Sequence, residues 1–279
     1  MEFQHFVLMP FYVRRVFGTG LNPLPPLEWL EDRMMLFERY CLPSIAAQSC
    51  QAFKVICFFD SETPTEALDR FRAAIADCPN IHLKLLSSWT HQASAEAARE
   101  IAEPGFTWSL TTRLDNDDGW HERFVETLQG QVHVGSRELL NFTRGYIVSG
   151  GRTYLYKHLS NAFISFSEPA GEMVTPFVTG HELLQELAPI RQIDAPPMFY
   201  QIVHGDNFSN KVRGTRVPVQ KALSGFKTLN FALDGKQSEP VGMLILENAT
   251  MGTIRFVRDH VINLLKRVRQ AVRQAAPSN

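Results

Sequence analysis

Residues 53–59 read Phe-Lys-Val-Ile-Cys-Phe-Phe, an apolar run that stops abruptly at Asp60. A strand with one wet face alternates apolar and polar residues. A run that is apolar at successive positions belongs to a sheet covered on both faces, as in parallel α/β folds. Residues 3–9 make a second buried strand of this kind. Around these runs the period changes to helical. Residues 27–40 carry apolar positions at helical spacing and are expected to end before Pro43, with a short helix or turn over 44–49. An amphipathic helix is predicted over 65–77, a strand over 81–86, an Ala-rich helix over 91–102 and a strand over 106–112. The order β-α-β-α-β-α-β predicts a doubly wound, mostly parallel central sheet with helices on both faces. Right-handed crossovers gather the strand C-termini on one edge, where ligands bind in such sheets.

The second half is less regular. A helix is expected over 119–129, strands over 138–148 and 153–157 around a Gly150-Gly151 turn, a strand over 161–166, a short helix over 180–188 and a strand over 197–203. Residues 254–274 read as one long amphipathic helix. Ile254, Val257, Val261, Leu264, Leu265, Val268 and Val272 share a stripe, and Arg255, Arg258, Lys266, Arg267, Arg269 and Arg273 stand against the single acid Asp259. Such a helix either packs on the domain or lies on an anionic membrane surface. The expected organisation is one domain over residues 1–250, followed by a basic C-terminal helix and tail over 251–279.

A chain of 279 residues can bury one sizeable core. Its net charge of -1 argues against a nucleic-acid partner. Cys41, Cys50, Cys57 and Cys78 form no CxxC pair, so a structural zinc site is not expected and reduced thiols in a cytoplasmic compartment are. The first residues, MEFQHFVLMPFYV, lack a basic start and are broken by Pro10, which suits a strand rather than a signal peptide.

The chemistry concentrates at Thr111-Thr-Arg113-Leu-Asp115-Asn-Asp117-Asp118-Gly-Trp120. Three acids in four positions repel one another unless a cation intervenes. If the chain stays extended, Asp115 and Asp117 point to one side. A carboxylate pair is the usual protein contribution to a Mg²⁺ or Mn²⁺ ion whose other ligands are phosphates and water. Arg113 would add positive charge beside a diphosphate. The bland alternative is a solvated turn in which Asp118 or Gly119 caps a helix starting near Trp120.

Asp115-Asn116-Asp117-Asp118 after a strand resembles the DxD region of GT-A glycosyltransferases. A fuller set comprises Pro43-Ser44-Ile45, Gln48, Phe53, Asp60, Thr63-Pro64, Thr112 to Asp118, and His204-Gly205-Asp206-Asn207-Phe208-Ser209-Asn210. That set is similar to a family of rhamnosyltransferases of the GT-A type, over roughly residues 30–210. The resemblance implies a GT-A-like fold and a metal-dependent glycosyltransferase of the hexosyltransferase kind. It would move rhamnose or another hexose from a nucleotide-diphosphate donor to a glycan or lipid-linked acceptor. It further implies Asp60 near the donor base or ribose, Asp115 at the ribose or metal, Asp117 as principal metal ligand, Asp118 as a further ligand and His204 as a late ligand that favours Mn²⁺ over Mg²⁺. Asn207 and Lys211 fall in the same late block. Lys211, Arg213 and Arg216 form either a solvated face or a segment closing over the diphosphate.

An inverting transfer needs a carboxylate base. Glu168, Glu172, Glu182 and Asp194 are the candidates, with Glu172 and Glu182 placed first. Two other classes fit the acids. One is a metal-dependent nucleotidyltransferase acting on sugar phosphates, or a phosphohydrolase, although Phe17-Gly18-Thr19-Gly20 lacks the lysine of a phosphate loop. The other is a non-catalytic carbohydrate-binding protein of the same fold. The compartment expected is the cytoplasm or the inner face of the membrane.

Overall fold

The computed structural model describes residues 2–17, 20–181, 183–204, 212–226, 229, 240–258 and 261. In chain order the first half runs β1 (Phe3–Tyr12), β2 (Val16–Phe17), β3 (Gly20–Leu21), α1 (Leu27–Leu36), α2 (Leu42–Ala46), β4 (Lys54–Asp60), α3 (Thr65–Ala74), β5 (Ile81–Leu86), α4 (His91–Glu100), β6 (Trp108–Arg113) and β7 (Gly119–Trp120). The second half adds α5 (Phe124–Gln129), β8 (Glu138–Phe142), β9 (Arg144–Ser149), β10 (Arg152–Lys157), β11 (Ser165–Pro169), β12 (Ile190–Ile193), β13 (Phe199–Ile202), β14 (Thr215–Val217), α6 (Val219–Leu223) and α7 (Val241–Glu247).

The central sheet has seven strands in the order β12-β8-β11-β6-β1-β4-β5. β1 pairs in parallel with both β4 and β6, and β4 with β5. β11 runs antiparallel to β6 and β8, while β12 is parallel to β8, so one strand opposes the other six. The chain winds outward from β1 to β4 and β5, then returns across β1 to place β6 on its other side. The predicted α/β class with a mostly parallel central sheet is therefore the observed one, and its topological switch point lies between β1 and β6.

The apolar runs behave as two-faced strands. Val7, Met9 and Phe11 of β1 and Val55, Cys57 and Phe59 of β4 pack into a core with α1, α3 and α5. Phe6, Leu8, Ile56 and Phe58 face the other way, against α4 through Ala95, Ala97 and Ala98. On the first face Phe11 stacks on Phe59 at 4.6 Å, and Phe71 meets Phe59 at 4.7 Å. All four cysteines are free, with Cys41 and Cys57 buried in this core.

Several boundaries differ from expectation. The helix from Leu27 does not stop before Pro43. Residues Phe37–Cys41 widen into a π turn, in which the Leu42 N–H reaches the Phe37 carbonyl, and Pro43 then lies in the first turn of α2. The ring and missing N–H of a proline are tolerated there and break a helix elsewhere. Gly119–Trp120 is a strand rather than a helix start, and α5 begins only at Phe124. Asp118 and Gly119 are thus not helix caps. Strand pairing of Gly119 and Trp120 with Tyr200 and Phe199 supplies the reason. Within 180–188 the described residues hold one 3-10 turn, Leu184–Glu186.

A second sheet, β14-β10-β9-β13-β7, takes its edge strand β7 directly from the acidic turn. The turn at 114–118 is therefore the hinge between the sheets: β6 enters it from one and β7 leaves it into the other. Of the expected helix over 254–274, residues 254–258 and 261 are described as helical, and they continue a helical run that begins at Val241. The rest of that expected helix lies outside the described residues. No described helix is long and apolar enough to cross a membrane.

Candidate functional site

The acidic turn is held from every side. Leu114 N–H donates to the Leu8 carbonyl of β1 at 3.3 Å, and Asp118 N–H closes the turn on the Asp115 carbonyl at 3.3 Å. The Asn116 amide donates to the Phe11 carbonyl at 3.3 Å, and the Cys41 thiol to the Asp115 carbonyl at 3.7 Å. Behind the turn Gln48 donates to the Ser44 and His121 carbonyls at 2.9 and 2.8 Å and accepts from Val125 N–H at 3.0 Å, tying α2 to the segment after β7. Gly119 has no room for a side chain, since a Cβ there would fall inside the Tyr200 hydroxyl and ring.

Because the chain turns instead of staying extended, Asp117 and Asp118 meet different partners. Asp117 is buried and forms an ion pair with Arg33 of α1, and His204 Nε2 meets the same Oδ2 at 3.1 Å. Asp118 is buried and faces β13, where its two oxygens accept from Ile202 N–H at 3.1 Å and from the Gln201 amide at 3.5 Å. Asp115 keeps a half-buried side chain.

Their protonation separates accordingly. Burial pushes the Asp117 carboxyl up, but the His204 hydrogen bond and the Arg33 charge outweigh it and hold Asp117 below the usual carboxylate range. Burial, with Asp117 and Asp115 beside it, pushes Asp118 well above that range despite its two hydrogen bonds. The two adjacent carboxyls are thus pushed in opposite directions, Asp117 toward the charged form and Asp118 toward the protonated one, as like charges in a dry site favour.

Arg33 was not visible as a site residue. Its guanidinium lies 4.8 Å from the Trp29 ring, one helical turn away, and Trp29 in turn stacks on Tyr12 at 6.1 Å. The Trp29-x-x-x-Arg33 spacing was the available signal, but it does not reveal the carboxylate the arginine meets.

Asp60 is buried at the end of β4 and accepts from Glu62 N–H at 3.0 Å and Arg14 N–H at 3.3 Å, with the Arg14 guanidinium 3.5 Å away. It closes the loop that starts α3 and joins it to the chain after β1. Arg113 points from the end of β6 to the Pro176 and Thr179 carbonyls at 3.1 and 3.4 Å and lies 4.3 Å from the Phe177 ring. Burial lowers its pKa to about 10, with Asp115 opposing and Arg15 adding to the shift.

Of the candidate bases, Glu168, Glu172 and Asp194 fall among the described residues. Glu172 is exposed in the 3-10 turn Ala170–Glu172 after β11. β11 ends opposite Trp108, the start of β6, so roughly the length of β6, about 16 Å, separates Glu172 from the acidic turn. Asp194 pairs with Arg144 at 2.7 Å on the surface. Glu168 is buried and accepts Thr175 and Val174 N–H at 2.9 and 3.1 Å, so it anchors the loop leading to Arg113. Arg216 is buried and paired with Glu247. Glu182, Asn207 and Lys211 lie outside the described residues.

Among the described residues no group of three His, Cys, Asp or Glu side chains is gathered to hold an ion. The donor set that does meet is Asp117 with His204, and half-buried Asp115 lies two residues before Asp117. A carboxylate with an imidazole suits an ion that takes its remaining ligands from phosphates, Mn²⁺ better than Mg²⁺.

The carboxylate and the imidazole meet at the switch point of the sheet, the place where doubly wound α/β proteins bind ligands. A family model described as "Putative rhamnosyl transferase" matches residues 25–216, and the chain belongs to that glycosyltransferase family. No curated protein matches it. Among solved structures, S. aureus TarS 1-349 is 12% identical with a TM-score of 0.41, covering 71% of this chain and 60% of that one. TarS 1-349 in complex with UDP-GlcNAc is 12% identical with a TM-score of 0.39, covering 75% of this chain and 62% of that one. This chain therefore spans less than two thirds of either, and the fold described here rests on the sheet order rather than on these likenesses.

Proposed function

We propose that this chain transfers a sugar, rhamnose or another hexose, from a nucleotide-diphosphate donor to a glycan or lipid-linked acceptor, with a divalent ion at the acidic turn. The observation that carries the reading is the contact of an ionised Asp117 with His204 at the switch point of the sheet. Asp117 and His204 would hold Mn²⁺ or Mg²⁺, with Asp115 facing the ion or the ribose. The ion's contribution, when bound, is to offset charge developing on the leaving diphosphate.

The chain's own residues do the positioning. Arg33 neutralises Asp117 in the free protein, so the site does not collect three repelling charges. Arg113, fixed by the Pro176 and Thr179 carbonyls, presents a cation beside Asp115. Asp118 holds the turn to β13 and so sets where His204 emerges. Any contact of residues 254–274 with an anionic membrane would bring the enzyme to lipid-linked acceptors.

Replacing Asp117 by Ala is expected to lower metal-dependent donor turnover by at least about a hundredfold, the scale of losing a main electrostatic contact to the transition state. Nucleoside diphosphates with Mn²⁺ should raise the melting temperature of the parent protein and not of the variant. Full turnover in the variant would overturn the site. Release of pyrophosphate instead of a nucleoside diphosphate would replace sugar transfer by nucleotidyl transfer.

A further inference from the structure

Glu168 of β11 is fully buried, and its two oxygens serve backbone amides: Oε1 accepts from Thr175 N–H at 2.9 Å and Oε2 from Val174 N–H at 3.1 Å. It stands opposite Ser109, four residues before Arg113 along β6, a separation of roughly 13 Å. The segment 170–179 spans that gap. It begins with the Ala170 N–H on the Thr107 carbonyl at 3.0 Å and ends with the Thr179 carbonyl on the Arg113 guanidinium at 3.4 Å. Between these points α4 holds it down. Arg99 donates to the Ala170 and Met173 carbonyls at 3.4 and 3.0 Å, and the Val174 carbonyl lies 3.2 Å from His91 Nδ1. Thr175 sits at φ 66°, in the left-handed region that a β-branched residue adopts only where its surroundings impose it. Glu168 imposes it through the Thr175 N–H. The Thr175 hydroxyl adds to this by accepting from Phe177 N–H at 3.3 Å, and it lies 3.5 Å from Ser94 Oγ.

The far end of the segment holds Arg113. Its Nη1 donates to the Pro176 and Thr179 carbonyls at 3.1 and 3.4 Å, and its guanidinium lies 4.3 Å from the Phe177 ring, which meets Trp89 edge-on at 4.8 Å. A guanidinium carries five N–H donors on three nitrogens. Both bonds to the segment leave from Nη1, so Nε and Nη2 are left for a ligand. Carbonyls and a ring orient the cation without cancelling its charge. We infer that Glu168 is a positioning residue: through the Val174 and Thr175 amides it fixes the segment that aims Arg113 at an anionic group of the ligand. The identity of that anion as the donor diphosphate rests on the proposed transfer; the aiming of Arg113 does not. A carboxylate suits the task because it presents two acceptor oxygens to two adjacent N–H groups. An amide in its place offers one oxygen and turns its own NH2 on the other N–H.

The test compares the parent with Glu168→Gln at pH 8, above the value of about 7 to which burial raises the Glu168 carboxyl. Below that value the folded parent itself carries a neutral side chain there, so the variant should fold. Phenylglyoxal modification, mapped by mass spectrometry, should reach Arg113 severalfold faster in the variant. Arg72 of α3, whose side chain is 52% exposed, should react equally in both. Calorimetric titration with uridine, guanosine and thymidine diphosphates in the presence of Mn²⁺ gives the second measurement. The tightest of them should bind the variant about tenfold more weakly, the scale of one charge-assisted hydrogen bond. In an Arg113→Gln background the same change should cost nothing further, because residues that act as a unit are not additive. Equal Arg113 reactivity or equal diphosphate affinity in parent and variant overturns the inference. So does a rise at Arg72 in step with Arg113, or an undiminished further loss in the Arg113→Gln background. If no diphosphate binds the parent while the contrast at Arg113 remains, the donor reading falls and the positioning role stands. Should Glu168→Gln not fold, Thr175→Ala, which takes only the hydroxyl from the segment, should raise Arg113 reactivity in the same way, and an unchanged rate there overturns the inference.

Discussion

Arg33 and His204 approach the same oxygen of Asp117. A metal ion at Asp117 must compete with a guanidinium already there, and removing that guanidinium should help the ion while harming the fold. Arg33→Met keeps volume but leaves Asp117 buried without its cation, a change that costs about 3–5 kcal/mol for a broken buried pair. The variant should melt lower than the parent without metal and gain more from Mn²⁺, as thermal melts with and without the ion would reveal. Equal gains would show that Arg33 does not occupy the ion's place. Asp118 provides a second residue-level test. Its carboxyl is pushed toward the protonated form, which Asn imitates, so Asp118→Asn should change stability by less than about 1 kcal/mol, whereas Asp118→Ala should cost about 1–3 kcal/mol by removing the hydrogen bond from the Ile202 N–H. Turnover should survive in Asp118→Asn; its loss there would make Asp118 a ligand after all.

At the scale of elements, two buried titratable groups tune the N-terminal halves of β6 and β1. Glu168 sits beside the start of β6, and burial raises its carboxyl to about 7 even though the Thr175 and Val174 N–H groups favour its charge. The folded state then binds the proton more tightly than the unfolded one. Its contribution to stability is present below about 4.5 and is lost as pH rises to about 7, by about 3 kcal/mol. His5 of β1 is buried near Thr112 Oγ1 at 2.8 Å, and burial lowers it to about 3. Here the unfolded state binds the proton more tightly, so stability is lost as pH falls from about 6.5 toward 3. The two slopes oppose each other between about 4.5 and 6.5. Glu168→Gln should remove one of them and leave a variant whose stability falls more steeply than the parent's on acidification. Denaturant unfolding at a series of pH values measures this, and parallel curves would refute it. The elements themselves were largely readable. The strand at 81–86 falls where periodicity put it. The helix through Pro43 did not, because a π turn absorbed the proline, a choice made by packing rather than by local propensity.

At the scale of the molecule, one turn joins two sheets. β6 brings Asp115, Asp117 and Asp118 to the edge, β7 carries the chain into the second sheet, and β13 returns from that sheet with His204. The site therefore depends on the relative placement of the sheets, which Asp118 and Gln48 fix at either side of the turn.

The sequence by itself determined the parts that follow from local pattern. Successive apolar residues in 3–9 and 53–59 demanded a sheet buried on both faces, and the alternation with helical periods demanded parallel strands whose ends share an edge. The acidic turn and His204 could be placed at that edge because each follows a strand. Only the tertiary structure decided which acid is charged, because protonation depends on burial and on an arginine and a histidine distant in the chain. It also decided which face of the last helix meets the protein. Periodicity shows that a helix has an apolar stripe; whether that stripe is buried depends on what the body offers it, and here Arg216 and Tyr154 offer partners for the polar side.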